Sequence, residues 1–262
     1  MRSLDEIRAA LEDSYVSMEG LVEDLSDAQW QVQSLCPDWN IRDVVSHVTS
    51  IEAVMAGWLP DDVSTPPPFE RAARFERETA GLDNAAFVDR VRATYDRRRQ
   101  DLEALADADL DRPSWMPVGP GTYGRFLEIR VFDFWVHQRD IAAPLTCDTD
   151  DAGVAAEIAL GEVAGSLGYI VGKKVGVPDG KSIAFDLTGP IRRVLNVRVD
   201  GRARLVEQLD TPDVEIITDS TTFIQLACGR IDPQAVIDSG AISWKGDAEL
   251  GERAARNLRF TM

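Results

Sequence analysis

The chain has 262 residues, 44% of them hydrophobic, and 45 acidic against 28 basic side chains give it a formal net charge of −17. Length and apolar content suffice for one large or two ordinary domains with real cores. So acidic a balance argues against a nucleic-acid or anionic-membrane surface, which needs a basic face, and an anionic substrate would have to be met by locally placed arginines.

Up to about residue 150, apolar residues recur at helical spacing. Ser3 and Glu6 form a capping box ahead of a first helix whose stripe is Leu4, Ile7, Leu11, Met18, Leu21 and Leu25. This opening segment carries Asp5, Glu6, Glu12 and Asp13 and no apolar core of the signal-peptide kind. No stretch reads as long enough to cross a bilayer, so a cytoplasmic protein is expected. Asn40 caps a second helix with the stripe Ile41, Val44, Val45, Val48, Ile51 and Met55, and His47 falls at its edge. A Pro-rich loop with Pro60 and Pro66, Pro67 and Pro68 is expected next, then a third helix over about 84–105. A fourth helix starts near Tyr123, after a loop with Pro117, Gly119, Pro120 and Gly121, and is expected to end before Pro144. The run Arg97, Arg98, Arg99 in the third helix has Asp96, Asp101 and Glu103 around it and reads as a solvated face.

Beyond residue 150 the pattern changes to a helix over 151–171 followed by strand-type segments at 182–188, 193–199, 202–208 and 214–218. Asp200-Gly201 between two of them predicts a hairpin with a type I′ turn. Short helices at 219–227 and 233–238, a strand at 241–244 and a closing helix at 249–258 complete an α+β half with an antiparallel sheet. The expected architecture is a helical bundle over 1–148 and an α+β domain over 149–262.

The chain has two histidines, His47 and His137, and His137 lies four residues after Asp133. Residues i and i+4 stand one above the other on a helix face, so Asp133 and His137 can converge on one ion, with His47 arriving from a neighbouring helix. His and Asp are ligand types for a divalent metal. Asp133 sits in a segment apolar on nearly every face, where an ionised carboxylate needs a metal, an arginine or a protonated histidine as partner. Two readings of these residues stay open: a metal site, or a buried Asp–His ion pair. Cys36, Cys147 and Cys228 form no C-x-x-C pair and read as small buried hydrophobes. Trp39, Trp58, Trp115 and Trp135 fall in the bundle half, as core or as the lining of a pocket.

The stretch from Cys36-Pro37-Asp38-Trp39-Asn40 through Arg42-Asp43 to His47 resembles the motif opening the second helix of mycothiol-dependent maleylpyruvate isomerases and their DinB-like relatives. Phe132-Asp133-Phe134-Trp135-Val136-His137-Gln138-Arg139-Asp140-Ile141 resembles the second metal-binding motif of that family. Asp219 through Phe223, Leu226, Gly229-Arg230 and the stretch from Gly246-Asp247 to Gly251 are similar to the sterol-carrier-like domain that follows the bundle in many members. The resemblance implies a DinB-like four-helix bundle and a sterol-carrier-like domain. It also implies that His47, Asp133 and His137 hold a divalent ion, most often zinc, and that mycothiol is the thiol cosubstrate. Founding isomerases place a glutamate where this chain has Asp133, which bears on the reaction more than on the metal.

A coordinated thiol is deprotonated at neutral pH, so the implied chemistry is addition of thiolate to an electrophilic small molecule. Cis–trans isomerisation of a dienoate such as maleylpyruvate is the first expectation. Mycothiol S-transfer to another electrophile, or a binding protein with a structural metal, are the alternatives. Substrate or thiol contacts are expected from Arg230 and Arg77, with Arg71 and Arg74 behind them, the two domains meeting over the metal. Asp140 is placed to orient His137, as ligating imidazoles usually have an outer partner. A monomer or homodimer is expected, with no nucleic-acid or membrane partner.

Overall fold

The computed structural model describes residues 2–261. The backbone divides into two units, Met1–Thr149 and Asp150–Met262. In chain order the first contains α1 (Leu4–Val22), α2 (Asp27–Trp30), α3 (Ile41–Met55), α4 (Glu70–Thr79) and α5 (Asn84–Glu103). A single 3-10 turn, Asp107–Asp111, the short β1 (Pro113–Ser114) and β2 (Gly121–Thr122), and α6 (Tyr123–Leu145) follow.

The long helices α1, α3, α5 and α6 form the bundle, α1 and α3 each packing on both α5 and α6. Their starts are set by the polar residues that precede them. Ser3 accepts from the Glu6 amide while Glu6 reaches back to the Ser3 amide, and Asn40 and Asp43 repeat this box at α3. Ile7, Leu11, Met18, Val44, Val45, Val48, Val91, Leu127 and Val131 are fully buried between them. The segment 70–79, expected as part of a Pro-rich loop, is helical. Only Phe75 and Thr79 of α4 are buried and no side chain caps its start, so this strongly polar segment offers one large apolar anchor and no start signal by which to recognise a helix.

Pro144 lies inside α6, which runs one residue past it. Proline has no N–H, so the carbonyl four residues earlier, that of Asp140, loses its helical partner. It accepts instead from the Leu35 amide at 3.1 Å, tying the loop before α3 to the last turns of α6.

The second unit contains α7 (Gly153–Tyr169), a π-helical turn (Ile170–Val175), β3 (Ser182–Thr188), β4 (Arg193–Asp200), β5 (Arg202–Val206), β6 (Val214–Asp219), α8 (Ser220–Ala227), α9 (Pro233–Asp238), β7 (Ile242–Gly246) and α10 (Ala248–Arg256). The sheet order is β5-β4-β3-β6-β7. Its pairings are antiparallel except β3 with β6, which is parallel, so the expected antiparallel sheet is a mixed one. The β4–β5 hairpin stands between β3 and β6 in sequence and returns the chain for that parallel pairing. At the hairpin only Gly201 has positive φ (65°), so the turn is not type I′. Asp179 Oδ1 secures it by accepting from the Gly201 amide at 2.7 Å.

The segment Gly153–Val175 has the length and the hydropathy (1.5) of a membrane span, contrary to the expectation that no stretch would. Half of its most apolar window is buried, and α7 packs on β4, β5 and α8, which accounts for an apolar face as a core helix.

Candidate metal centre

The site lies in the bundle, where the loop before α3 meets α3 and α6. Cys36-Pro37-Asp38-Trp39 is a tight turn with proline at its second position and Asp38 at φ 68°, the conformation a type II turn requires there. The Trp39 amide bonds Cys36 O at 3.3 Å, and Ser34 Oγ and Gln33 Nε2 donate to Trp39 O at 2.7 and 2.8 Å. The turn sets Cys36 against α6 and Trp39 against His47, the two rings 4.8 Å apart.

His47 of α3 and Asp133 and His137 of α6 converge. One ligand atom from each lies within 4.8 Å of the other two, and the imidazole centroids are 5.2 Å apart. His137 Nε2 faces Asp133 Oδ1 at 3.6 Å. That is too long for a hydrogen bond and close to the roughly 3.4 Å that separates two N or O donors on a tetrahedral cation. The other nitrogen, Nδ1, is 2.8 Å from Asp140 Oδ2, deep in the bundle where Asp140 is fully buried. In a neutral His137 that donates Nδ1–H to this carboxylate, the Nε2 lone pair turns towards a second carboxylate. In that form two acceptors face each other at 3.6 Å, and a cation between them satisfies both. The residues therefore fit a divalent ion.

Cys36, His137 and Asp140 form a second group with ligand atoms within 4.8 Å. Its distances are those of proton sharing: the Cys36 thiol donates to Asp140 Oδ2 at 3.1 Å, the same oxygen that meets His137 Nδ1. The cluster supports His137 from behind. Cys36 and Cys228 are buried as expected, whereas Cys147 is exposed, in the segment that follows the left-handed Thr146 at the end of α6.

Burial pushes the His47 imidazole down to about 4, helped by the nearby His137 and Arg130 and opposed by Asp133. His47 is therefore neutral at pH 7, with a lone pair available to a metal. Burial opposes ionisation of Asp133, but Arg130, His137 and His47 overcome it and hold the carboxyl at about 2. The Asp133 side chain keeps 26% of its surface exposed, so one side of the cluster is open.

Asp133 has an arginine partner as well as a histidine. Arg130 Nη1 donates to Asp133 Oδ2 at 2.7 Å, Nε to Glu52 Oε1 at 2.8 Å and Nη2 to Val48 O at 3.2 Å. Glu52, fully buried, also accepts from Arg98 Nε at 2.9 Å and from the Tyr15 hydroxyl at 2.7 Å. This network joins α1, α3, α5 and α6. It corrects the reading of the arginine run as a solvated face: Arg97 is exposed, but Arg98 is buried on Glu52, and Arg99 reaches Glu12 and Glu19 on α1. The missed signal was Glu52 itself, a lone acid within an apolar helix stripe, which demands buried cations elsewhere in the fold.

A cavity of about 440 Å³ opens beside His47, lined among others by Trp39, Arg42, Ser46, Glu76, Thr79 and Phe87. Arg42 is the cation of this wall. It stacks over Phe87 at 4.1 Å and donates to Asn84 Oδ1, Thr79 O and Leu82 O. Arg77 is exposed on α4 and does not line the cavity, although Glu76, Thr79 and Ala80 do. Arg71 donates to Val54 O and Ala56 O at the end of α3, and Arg74 pairs with Glu78. Arg230 belongs to the second unit, its Nη1 bonding Cys228 O at 2.9 Å. Of the four tryptophans, Trp39 lines the cavity. Trp58 and Trp115 meet Phe126, and Trp135 is buried under Arg139 at 3.4 Å.

A helical bundle with three convergent metal-type donors, followed by a separate α+β unit, defines a two-domain class of protein. Residues 11–142 match the family model of the mycothiol maleylpyruvate isomerase N-terminal domain, and residues 157–253 match that of the MDMPI C-terminal domain. The chain belongs to the mycothiol maleylpyruvate isomerase family. Similar solved structures include the mycothiol-dependent maleylpyruvate isomerase (TM-score 0.62, 15% identity) and a histidine-to-alanine mutant of it (TM-score 0.61, 14% identity). In both cases the match covers 95% of this chain and 98% of the other. At such identity these likenesses establish the fold. Among curated proteins, no relative matches the chain.

Proposed function

We propose that the chain is a cytoplasmic, mycothiol-utilising, divalent-metal enzyme of the maleylpyruvate isomerase type, with His47, Asp133 and His137 as ligands and zinc as the expected ion. The observation that carries this reading is the 3.6 Å approach of His137 Nε2 to Asp133 Oδ1 beside a neutral His47, with Asp140 Oδ2 2.8 Å from His137 Nδ1 on the other side of the ring. Membership of the family supports the thiol and the isomerase class. A divalent cation held there lowers the pKa of a coordinated thiol enough to make sulfur a nucleophile at neutral pH.

The chain's own residues prepare that chemistry. Asp140, itself held by the Cys36 thiol, fixes the orientation of the His137 ring. Trp39 packs against one face of His47 and lines the cavity beside it. Arg42 gives the neighbouring cavity a cation for a substrate carboxylate, and the exposed Arg77 is proposed as an outer contact for substrate or thiol. In the reaction, thiol sulfur adds to the cis double bond of a dienoate, the resulting single bond rotates, and expulsion of sulfur leaves the trans isomer.

Metal-loaded protein incubated with mycothiol and maleylpyruvate tests the reading. We expect trans product free of sulfur by mass spectrometry, mycothiol undiminished, and loss of activity in chelator with the fold retained. Sulfur retained on the product would make the chain an S-transferase. No turnover, together with unfolding in chelator, would leave the metal a structural one.

A further inference from the structure

Arg130 engages Asp133 and Glu52 through separate nitrogens, and a third nitrogen bonds the Val48 carbonyl. Its side chain is 5% exposed, with no freedom to leave. Glu52 is held in turn by Tyr15 and Arg98, so the position of Arg130 is dictated by all four long helices. Asp133 thus meets the cluster with one oxygen already committed: Oδ2 lies on the guanidinium at 2.7 Å, and Oδ1 alone faces His137.

A carboxylate with both oxygens available can ligate a cation through one or through two of them. Resting on the reading of His47, Asp133 and His137 as ligands, we propose that Arg130 is a positioning residue that confines Asp133 to single-oxygen ligation and so preserves an open coordination position for the thiol. Asp133 lies on the same helix one turn from Arg130, which sets the pairing as an i, i+3 contact. The guanidinium also competes electrostatically with the ion for the carboxylate, weakening the hold on the metal in exchange for an open site. An outer partner that supports a ligand's basicity strengthens metal binding; a guanidinium on the carboxylate acts in the opposite sense, as a cation competing for the same charge.

The test uses the full chain loaded with Co²⁺, whose visible absorption distinguishes four- from five-coordination, together with Co²⁺ affinity by calorimetry. In wild type we expect the intense bands of a four-coordinate ion. In Arg130→Met, Asp133 closes on the ion with both oxygens: the bands weaken severalfold, Co²⁺ binds severalfold tighter because the competing charge is gone, and mycothiol no longer perturbs the spectrum. Arg130→Lys keeps a cation on Oδ2 and restores the wild-type spectrum even if the protein is less stable. An unchanged spectrum and weaker Co²⁺ binding in Arg130→Met would reduce Arg130 to a scaffold residue and overturn the inference alone. Failure of wild type to bind Co²⁺ would overturn the ligand assignment and this inference together.

Discussion

Glu52→Gln removes one negative charge and leaves Arg98 and Arg130, 1% and 5% exposed, without the carboxylate that both share. Breaking a buried ion pair from one side costs about 3–5 kcal/mol, because the remaining charge stays desolvated and unpaired. The first unit has 149 residues, so at roughly 2.1 cal/mol/K per residue its unfolding entropy is about 0.3 kcal/mol/K and the substitution lowers its Tm by about 10–15 °C. Tyr15→Phe removes one of three bonds to the same carboxylate, at about 1–2 kcal/mol or about 3–6 °C. Arg97→Met, at an exposed surface pair with Asp101, shifts Tm by less than about 2 °C. Calorimetry of metal-free protein measures all three. Burial opposes ionisation of Glu52, but Arg130 and Arg98 overcome it and hold the carboxyl below its usual 4.5. With the folded value depressed, the contribution of the carboxylate is complete above about pH 4.5 and is lost as pH falls through the lower folded value. Wild type should therefore lose Tm more steeply than Glu52→Gln on acidification below that point. A Glu52→Gln protein that melts within 2 °C of Arg97→Met would refute the reasoning.

Other outcomes are expected from the same geometry. His47→Ala and His137→Ala should abolish stoichiometric metal binding, with Asp133→Ala nearly as severe; full metal content in all three by elemental analysis would refute the site. Asp140→Asn exchanges the acceptor at His137 Nδ1 for a weaker one and should lower metal affinity about 10–100-fold with the fold intact by circular dichroism. Arg42→Ala should raise KM for a carboxylate substrate at least tenfold while kcat changes little, corresponding to one charge-assisted contact of about 1.5–3 kcal/mol. A change in kcat with KM unmoved would place Arg42 outside the substrate cavity.

The parts legible in the sequence were those with a local signature. A capping box marked α1 and the Asn40 cap marked α3, strand-type composition marked the strands, and the i, i+4 spacing marked Asp133 and His137. What stayed hidden depends on contacts between distant segments. The pairing of Arg130 with Asp133 is local in sequence, but its engagement of Glu52 spans 78 residues, and the bond from Cys36 to Asp140 spans 104. No spacing rule announces such pairs. Arg98 looked solvated because its neighbours in sequence are acidic, yet its partner lies 46 residues away. The role of Pro144 was equally indirect: it read as a helix terminator, whereas the carbonyl it frees anchors the loop that carries Cys36. Arg42 was overlooked as a cavity residue because its partners Thr79, Leu82 and Asn84 lie 37 to 42 residues away, on and after α4, a segment so polar that it read as loop.

X-ray absorption at the metal edge, recorded on the zinc-loaded protein before and after mycothiol is added, tests the central claim most directly. The account expects a first shell of nitrogen and oxygen only in the resting protein, and one sulfur at about 2.3 Å once mycothiol is present. Sulfur in the shell before any thiol is added would move the ion to the Cys36 cluster, and a shell unchanged by mycothiol would contradict the account.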